Sequence, residues 1–249
     1  MRVSSLVLAV AALLACSDST PAAGARQGKA GKKQKQGPEQ VLGPGTAVAN
    51  PGVAEPSGIV FHPALQRLFV VGDEGTLAEL DADGGFVRRM AVGANLEDVA
   101  VHDPSGALVL LDEVRAELIV YDPRASAVKG RWRLDAAALT NGKERGRDGF
   151  EGLAFRPEAG RPGGGVFYLA HQRGPALLVA VAFDPTGSGG EIGGAAVIGR
   201  WKVEGYRDLN ALSWSPALGR LLLLADAEDA LLVVQPDGTV EKRVPVPGL

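Results

Sequence analysis

The chain has 249 residues, of which 46% are hydrophobic and 22% are charged, with a formal net charge of −3. Basic residues concentrate in the first 40 positions, which leaves the remainder, long enough for one domain with a sizeable core, clearly acidic. That balance excludes the usual class of nucleic-acid-binding proteins, and no stretch after residue 16 is apolar enough for a transmembrane helix.

Residues 1–16 have the pattern of an export signal. Arg2 gives a positive start, Leu6 to Leu14 form a short apolar run, and Ala15 precedes Cys16. The run is too short to cross a bilayer as a mature helix. Because Cys16 is the single cysteine and its surroundings resemble a bacterial lipobox, it is the predicted lipidation site. An ordinary cleaved signal peptide with an incidental cysteine is the alternative.

Residues 17–44 are predicted to form a flexible linker. They are rich in Ser, Ala, Gly, Gln and Lys, they contain no aromatic residue, and they carry a basic excess. Such a segment cannot bury enough apolar surface to order itself. Residues 45–249 are predicted to form the folded domain. The predicted location is the bacterial cell envelope, with the lipid holding the protein to the outer membrane facing the periplasm, since Ser17 follows the cysteine.

Four repeats organise the domain, each with a polar residue, a small or acidic residue, and then alternating apolar residues. Their openings are Ser57–Phe61, Glu97–Val101, Glu151–Phe155 and Asn210–Trp214. A proline turn, a nearly continuous apolar run and two further short runs follow each opening. Runs of this length between turn residues indicate strands, and four strands per repeat are typical of a β-propeller blade. The sequence therefore predicts an all-β propeller of four recognisable repeats, with about four to five blades.

Two segments of the domain do not fit the repeated pattern of strands. Leu134 to Thr140 is a candidate short helical turn, and the Gly-rich segment from Gly187 to Gly194 is predicted to be a loop. A β-sandwich would explain the strands but not the repeated pattern.

Alignment of the repeats places Ser57, Glu97, Glu151 and Asn210 at one equivalent position, the start of the innermost strand. Equivalent positions in a propeller converge on the central channel, and all four side chains offer oxygen. Oxygen ligands with two carboxylates suit Ca²⁺ better than Zn²⁺, so these four residues are the candidate metal ligands. Without a cation, one carboxyl would raise its pKa or recruit water. The alternative is a polar channel lining without a metal.

A second set of acidic positions follows the second strand of the repeats, at Asp73, Asp112 and Asp226. These residues either face the channel or cap turns by accepting backbone N–H groups, which Asp does readily. His171 takes the corresponding place in the third repeat and is the histidine best placed to reach a site. His62 and His102, beside the proline turns, are predicted to be surface residues.

The domain resembles the SdiA-regulated (YjiK-like) family. The resemblance runs from about residue 55 to the end and is carried by Glu55–Ile59, Val70–Gly75, Gly149–Ala154 and the repeat that starts at Leu209. It implies a small exported propeller of poorly defined activity, in which a ring of acidic residues could bind calcium. The family pattern would continue with a fifth repeat at Gly248, so we expect either a truncated chain or closure with fewer blades.

Two functional classes follow from these observations. The first is a binding or scaffold propeller at the envelope, in which calcium is a possible structural ion and the partner is an envelope protein or a small molecule. It is favoured because no complete catalytic motif is present, so an enzyme is the less favoured class. The second is a metal-dependent lactonase or esterase that resembles the gluconolactonase and paraoxonase propellers, with a channel cation polarising an ester carbonyl.

Overall fold

The computed structural model describes residues 52–93, 95–140, 149–187, 189–192 and 197–246. The predicted signal peptide with Cys16 and the predicted linker, residues 17–44, lie outside these ranges. In the described residues, no helix is long and apolar enough to cross a membrane.

Sixteen of the strands form four blades, each an antiparallel sheet of four strands in a β-propeller arrangement. Blade 1 contains β1 (Pro56–His62), β2 (Arg67–Gly72), β3 (Thr76–Asp81) and β4 (Phe86–Ala91); blade 2 contains β5 (Leu96–His102), β6 (Ala107–Asp112), β7 (Glu117–Asp122) and β8 (Ala127–Leu134). Blade 3 contains β9 (Phe150–Pro157), β10 (Gly165–His171), β11 (Leu177–Val181) and β13 (Val197–Lys202); blade 4 contains β14 (Leu209–Ser215), β15 (Arg220–Ala225), β16 (Ala230–Val234) and β17 (Val240–Pro245). The predicted all-β propeller with four repeats is confirmed.

The innermost strands pack in the order β1, β5, β9 and β14, each against the next. The predicted helical turn is present as α1 (Ala136–Thr140). Two short 3-10 turns, Pro162–Gly164 and Asp226–Glu228, complete the regular structure of the described residues.

The nearly continuous apolar runs are explained by blades that are covered on both faces. In β6, Leu108 and Leu110 pack in the cluster between blades 1 and 2, whereas Val109 and Leu111 pack in the cluster between blades 2 and 3. Successive residues of a strand point to opposite faces, so both faces must be apolar when both are buried. The outer strand β4, by contrast, is largely exposed and carries two arginines.

The Gly-rich segment differs from its prediction as a loop. Gly190–Ile192 forms a short strand, β12, which pairs in parallel with Trp132–Leu134 and adds a fifth strand to blade 2. The segment leaves blade 3 and covers the outer edge of blade 2. Such cover protects unpaired N–H and C=O groups that would otherwise form an open sheet edge.

Candidate functional site

The four inner strands share one irregularity where they begin. Each pairs regularly with the second strand of its blade except for a single residue that has no partner, and this residue is Ser57, Glu97, Glu151 or Asn210. An extra residue of this kind is a β-bulge, which bends the strand and redirects a side chain. The equivalence predicted from the sequence thus has a structural cause, because the same bulge opens every repeat.

Several hydrogen bonds hold these side chains at the channel opening. Asn210 Nδ2 donates to Glu151 Oε2 over 3.1 Å, and Asn95 Nδ2 donates to Glu97 Oε1 over 2.7 Å. In blade 1, the Ser57 hydroxyl donates to Asp73 Oδ1. Glu113 Oε1 accepts the backbone N–H of Gly149, two residues before Glu151, over 3.1 Å. We call the set of these residues the acidic mouth and define it by Ser57, Asp73, Glu97, Glu113, Glu151 and Asn210.

The two central carboxyls of the mouth hold their protons unusually tightly. Burial, followed by the charges of Asp73 and Glu113, raises the pKa of Glu97 to about 7. Burial also raises the pKa of Glu151 to about 8, with further contributions from Glu97, Glu113 and Asp208. At neutral pH at least one of these groups therefore carries a proton in the ligand-free protein, as expected for neighbouring carboxyls without a cation.

The second set of acidic positions divides between the mouth and the turns. In each blade, the carbonyl two residues before the bulge accepts one backbone N–H from the residue that follows the second strand. The four donors are therefore structurally equivalent to one another: Asp73, Glu113, Gln172 and Asp226. Asp112 lies one position earlier, at the end of β6, and its equivalent in blade 3 is His171. The register read from the sequence was therefore wrong by one residue at Asp112.

Asp112 caps a turn. Its fully buried carboxylate accepts the backbone N–H of Arg115 over 2.9 Å and pairs with the Arg115 guanidinium over 3.1 Å. Asp226 is exposed and begins a 3-10 turn. Asp73, by contrast, accepts a hydrogen bond from the hydroxyl of Ser57, and in blade 2 the structural equivalent of Asp73 is Glu113 rather than Asp112.

A buried carboxylate below the mouth was not predicted. Asp98 is 3% exposed, and its side chain accepts backbone N–H groups from Val99, Leu153 and Leu212. Burial raises the pKa of Asp98 well above its usual range, although these three N–H groups lower it. Further along the inner strands, a mostly apolar cavity of about 340 Å³ is lined by residues of β1, β5, β9 and β14.

The histidines contradict their predicted surface positions. His62 and His102 are 2% and 1% exposed. His62 Nε2 lies 3.0 Å from the carbonyl oxygen of Gly106 in blade 2, and His102 Nε2 lies 2.6 Å from that of Gly163 in blade 3. Each imidazole therefore joins its own blade to the next, at the end of the inner strand opposite the mouth.

His171 also has a structural environment. It is fully buried, its Nδ1 lies 2.9 Å from the carbonyl oxygen of Pro175, and its ring packs edge-on against Phe150. The core surrounds this imidazole, so it does not supply an accessible general base to the mouth.

Two oxygen atoms beside the mouth lack hydrogen-bond donors. Asn210 Oδ1 and Asp208 Oδ1 are buried and have no partner among the described residues. Buried acceptors normally receive a hydrogen bond or contact a cation. Among the residues that the structure describes, no three or more acidic, histidine or cysteine side chains are arranged to hold a metal ion. A cation at the mouth would therefore need amide, hydroxyl or water oxygens besides Glu97 and Glu151.

Comparison with solved structures finds several remote likenesses. They include a streptogramin B lyase (10% identity, TM-score 0.47, 77% of this chain and 55% of that one), and a catalytically inactive virginiamycin B lyase from Staphylococcus aureus with quinupristin (10%, 0.47, 81% and 59%). A protein of unknown function from Bacteroides caccae matches with 11% identity, a TM-score of 0.48, and 77% and 61% coverage. The chain thus spans less than two thirds of each of these proteins.

No curated protein is significantly similar to the chain in sequence. The family comparison is decisive by contrast, because the profile of the SdiA-regulated family matches residues 47–248, most of the chain and all four blades. The chain belongs to the SdiA-regulated family.

Proposed function

We propose that this propeller is a binding module of the bacterial cell envelope, whose ligand docks at the acidic mouth through a cationic group or a bound divalent cation. The observation that carries the proposal is a pair of buried, donor-free oxygens, Asn210 Oδ1 and Asp208 Oδ1, beside two carboxyls. The other carboxylate oxygen of Asp208 pairs with Arg173 over 3.0 Å. Orphaned acceptors and crowded carboxyls are both satisfied by a positive charge, and neither is satisfied by an anion.

Calcium is the cation that we propose for this site. The ligands would be Glu97, Glu151 and Asn210, with the Ser57 hydroxyl or water completing the shell. All of these donors are hard oxygens, which Ca²⁺ accepts in flexible geometries with six to eight ligands. A bound cation would also favour the ionised forms of Glu97 and Glu151, so binding should release protons near neutral pH.

A calcium titration of the purified full-length protein, stripped with chelator, tests the proposal. At a hundredfold excess over the dissociation constant, calcium should stabilise the fold by about 2.7 kcal/mol and raise the melting temperature. Glu97→Gln combined with Glu151→Gln should abolish this response, because the amides keep the size and remove the charge. Glu241→Gln, which makes the same change on the outer strand β17, should leave the response intact. A flat titration of the wild type would reject the calcium site.

Membrane attachment is the second part of the proposal. We expect Cys16 to carry the lipid that anchors the protein to the outer membrane, where an envelope protein or a small molecule would reach the mouth. Cys16→Ser should lose the mass of the acyl groups and move the protein from the membrane fraction to the soluble fraction. If mass spectrometry and fractionation gave the same result for variant and wild type, the anchor assignment would be wrong.

A metal-dependent lactonase or esterase is the second candidate. It is favoured by one observation, the raised pKa of Glu97 in the ligand-free protein, because carboxyls with strongly shifted pKa values cluster at functional sites. Assaying the calcium-loaded protein with a panel of lactones and aryl esters separates the two functions. Turnover that Glu97→Gln removes would identify an enzyme, whereas calcium binding without turnover would identify a binding module.

A further inference from the structure

One side chain joins the inner strands of three blades. The Asp98 carboxylate, on β5, accepts the N–H of Leu153 in β9 over 2.7 Å and, more weakly, the N–H of Leu212 in β14 over 3.5 Å, both at Oδ2. Its Oδ1 accepts the N–H of Val99 in its own strand over 2.8 Å. The bonds link positions 55 and 114 residues apart in sequence, so they are tertiary contacts rather than local turn contacts.

The fourth inner strand passes against the same carboxylate. A Cβ atom added at Gly58 would lie 2.6 Å from both Asp98 Oδ1 and Asp98 Cα, so any larger residue there would collide with Asp98. Gly58, Gly152 and Ala211 are the equivalents of Asp98 in the other blades, each directly after a mouth residue. Three of the four positions are thus small, and at Gly58 the fourth, Asp98, occupies the space that a larger side chain would need.

We propose that Asp98 is the positioning residue of the acidic mouth, which fixes the spacing of Glu97, Glu151 and Asn210 by tying their three strands together. The proposal rests on the binding function assigned above to those residues. Glu97 directly precedes Asp98, Glu151 lies two residues before Leu153, and Asn210 lies two residues before Leu212. Any movement of β9 or β14 relative to β5 would therefore displace a mouth side chain directly.

Two substitutions separate the tie from the charge of Asp98. Asp98→Ala removes the acceptor and leaves the N–H groups of Leu153 and Leu212 without a partner. Asp98→Asn can keep its oxygen toward these two donors, so the connection between blades survives without the ionisable group. Its amide nitrogen cannot accept the Val99 N–H, so the one contact that is lost is the local one within β5. We therefore expect the alanine variant to disturb the mouth and the asparagine variant to preserve it.

The experiment uses nuclear magnetic resonance of the full chain. Its readouts are the side-chain amide signal of Asn210, which reports the hydrogen bond to Glu151, and the hydrogen exchange of the Leu153 and Leu212 amides. In Asp98→Ala, the Asn210 signal should move towards that of a solvent-exposed amide while both backbone amides exchange faster. Calcium affinity, measured separately by calorimetry, should fall on the order of tenfold or more, as it does when outer-shell partners of metal sites are removed.

His102→Ala is the matched control. It removes another bridge between blades 2 and 3, from the opposite end of β5, so it should lower the melting temperature without moving the Asn210 signal. A merely structural role for Asp98 predicts that Asp98→Ala and His102→Ala behave alike.

An Asp98→Ala variant with unchanged Asn210 signal and unchanged Leu153 and Leu212 exchange would overturn the proposal. Should the alanine variant not fold, the Asp98→Asn variant tests the proposal. The proposal requires that the Asn210 signal stays in place when the Leu153 and Leu212 amides remain protected from exchange, and that it moves when they lose protection. A displaced Asn210 signal with both amides still protected would refute the proposal. The nuclear magnetic resonance readouts need no calcium. If the wild type binds no calcium, the calcium site is rejected, and the positioning role of Asp98 is still tested by the Asn210 signal and the exchange of the Leu153 and Leu212 amides.

Discussion

Glu151→Gln should make the ligand-free protein more stable above neutral pH and should flatten its dependence on pH. The pKa of Glu151 is raised to about 8, so between its ordinary value of 4.5 and 8 the folded state binds more protons than the unfolded chain. The free energy of unfolding therefore falls as the pH rises through this range. A shift of one pKa unit corresponds to 1.36 kcal/mol, and water that still reaches the mouth reduces the full effect. The free energy of unfolding of the wild type should therefore fall by on the order of 3 kcal/mol across this range.

Denaturant unfolding of chelator-treated protein from about pH 5.5 to about pH 8.5 measures this effect. The free energy of unfolding of the glutamine variant, relative to that of the wild type, should increase progressively as the pH rises, because the amide has no proton to lose. Glu241→Gln is the flat control, because Arg220 lowers the pKa of the exposed Glu241, so this carboxylate stays ionised throughout the range and any change in stability should not depend on pH. Parallel pH profiles for Glu151→Gln and wild type would show that Glu151 ionises in the folded state as it does in water.

The equivalence of the mouth residues could be predicted because the bulge leaves a local signature. A polar residue followed by a small or acidic one and then by alternating apolar residues marks each opening, and Ser57 and Asn210 are found by the same pattern as Glu97 and Glu151. The strands were predictable for a similar reason, since burial on both faces makes their runs continuously apolar. Local pattern was sufficient wherever the repeat itself determines the structure.

The features that were missed depend on contacts between repeats. Asp98 occupies a position that holds Gly or Ala in the other blades, and its partners are backbone groups of two other repeats, which no local pattern reveals. His62 and His102 stand beside turns, where exposure is the usual outcome, yet each binds a carbonyl of the next blade. The only signal for Asp98 in the sequence was its charge at a position that is otherwise small.

The predicted register at Asp112 failed because the acidic positions were aligned by residue type. Asp112 was matched to Asp73, but the strand ends place the next residue, Glu113, opposite the opening of its repeat. A shift of one residue turns a side chain to the other face of a strand. Asp112 consequently lies in the core, where it caps a turn, and Glu113 lies at the mouth.

Phe167→Ala should cost about 3–5 kcal/mol of stability, the range for deletion of a buried aromatic side chain. Phe167 in β10 is fully buried between blades 2 and 3, with ring centroids 4.8 Å from Phe155 and 4.6 Å from Phe183. Most small domains have a total stability of about 5–15 kcal/mol, so this loss should shift the midpoint of denaturant unfolding strongly.

This interface joins the two blades that carry the central carboxyls, with Glu97 near the start of the inner strand of blade 2 and Glu151 near that of blade 3. Phe167→Leu, which fills part of the space, should lose much less than the alanine variant, and Leu218→Ala, at an exposed turn, should change stability by about 0.5 kcal/mol or less. If Phe167→Ala lost no more stability than Leu218→Ala, the packing of Phe167 would contribute little to the stability of the fold. A loss in the expected range would show that the core between blades 2 and 3 is as tightly packed as the interior of other proteins.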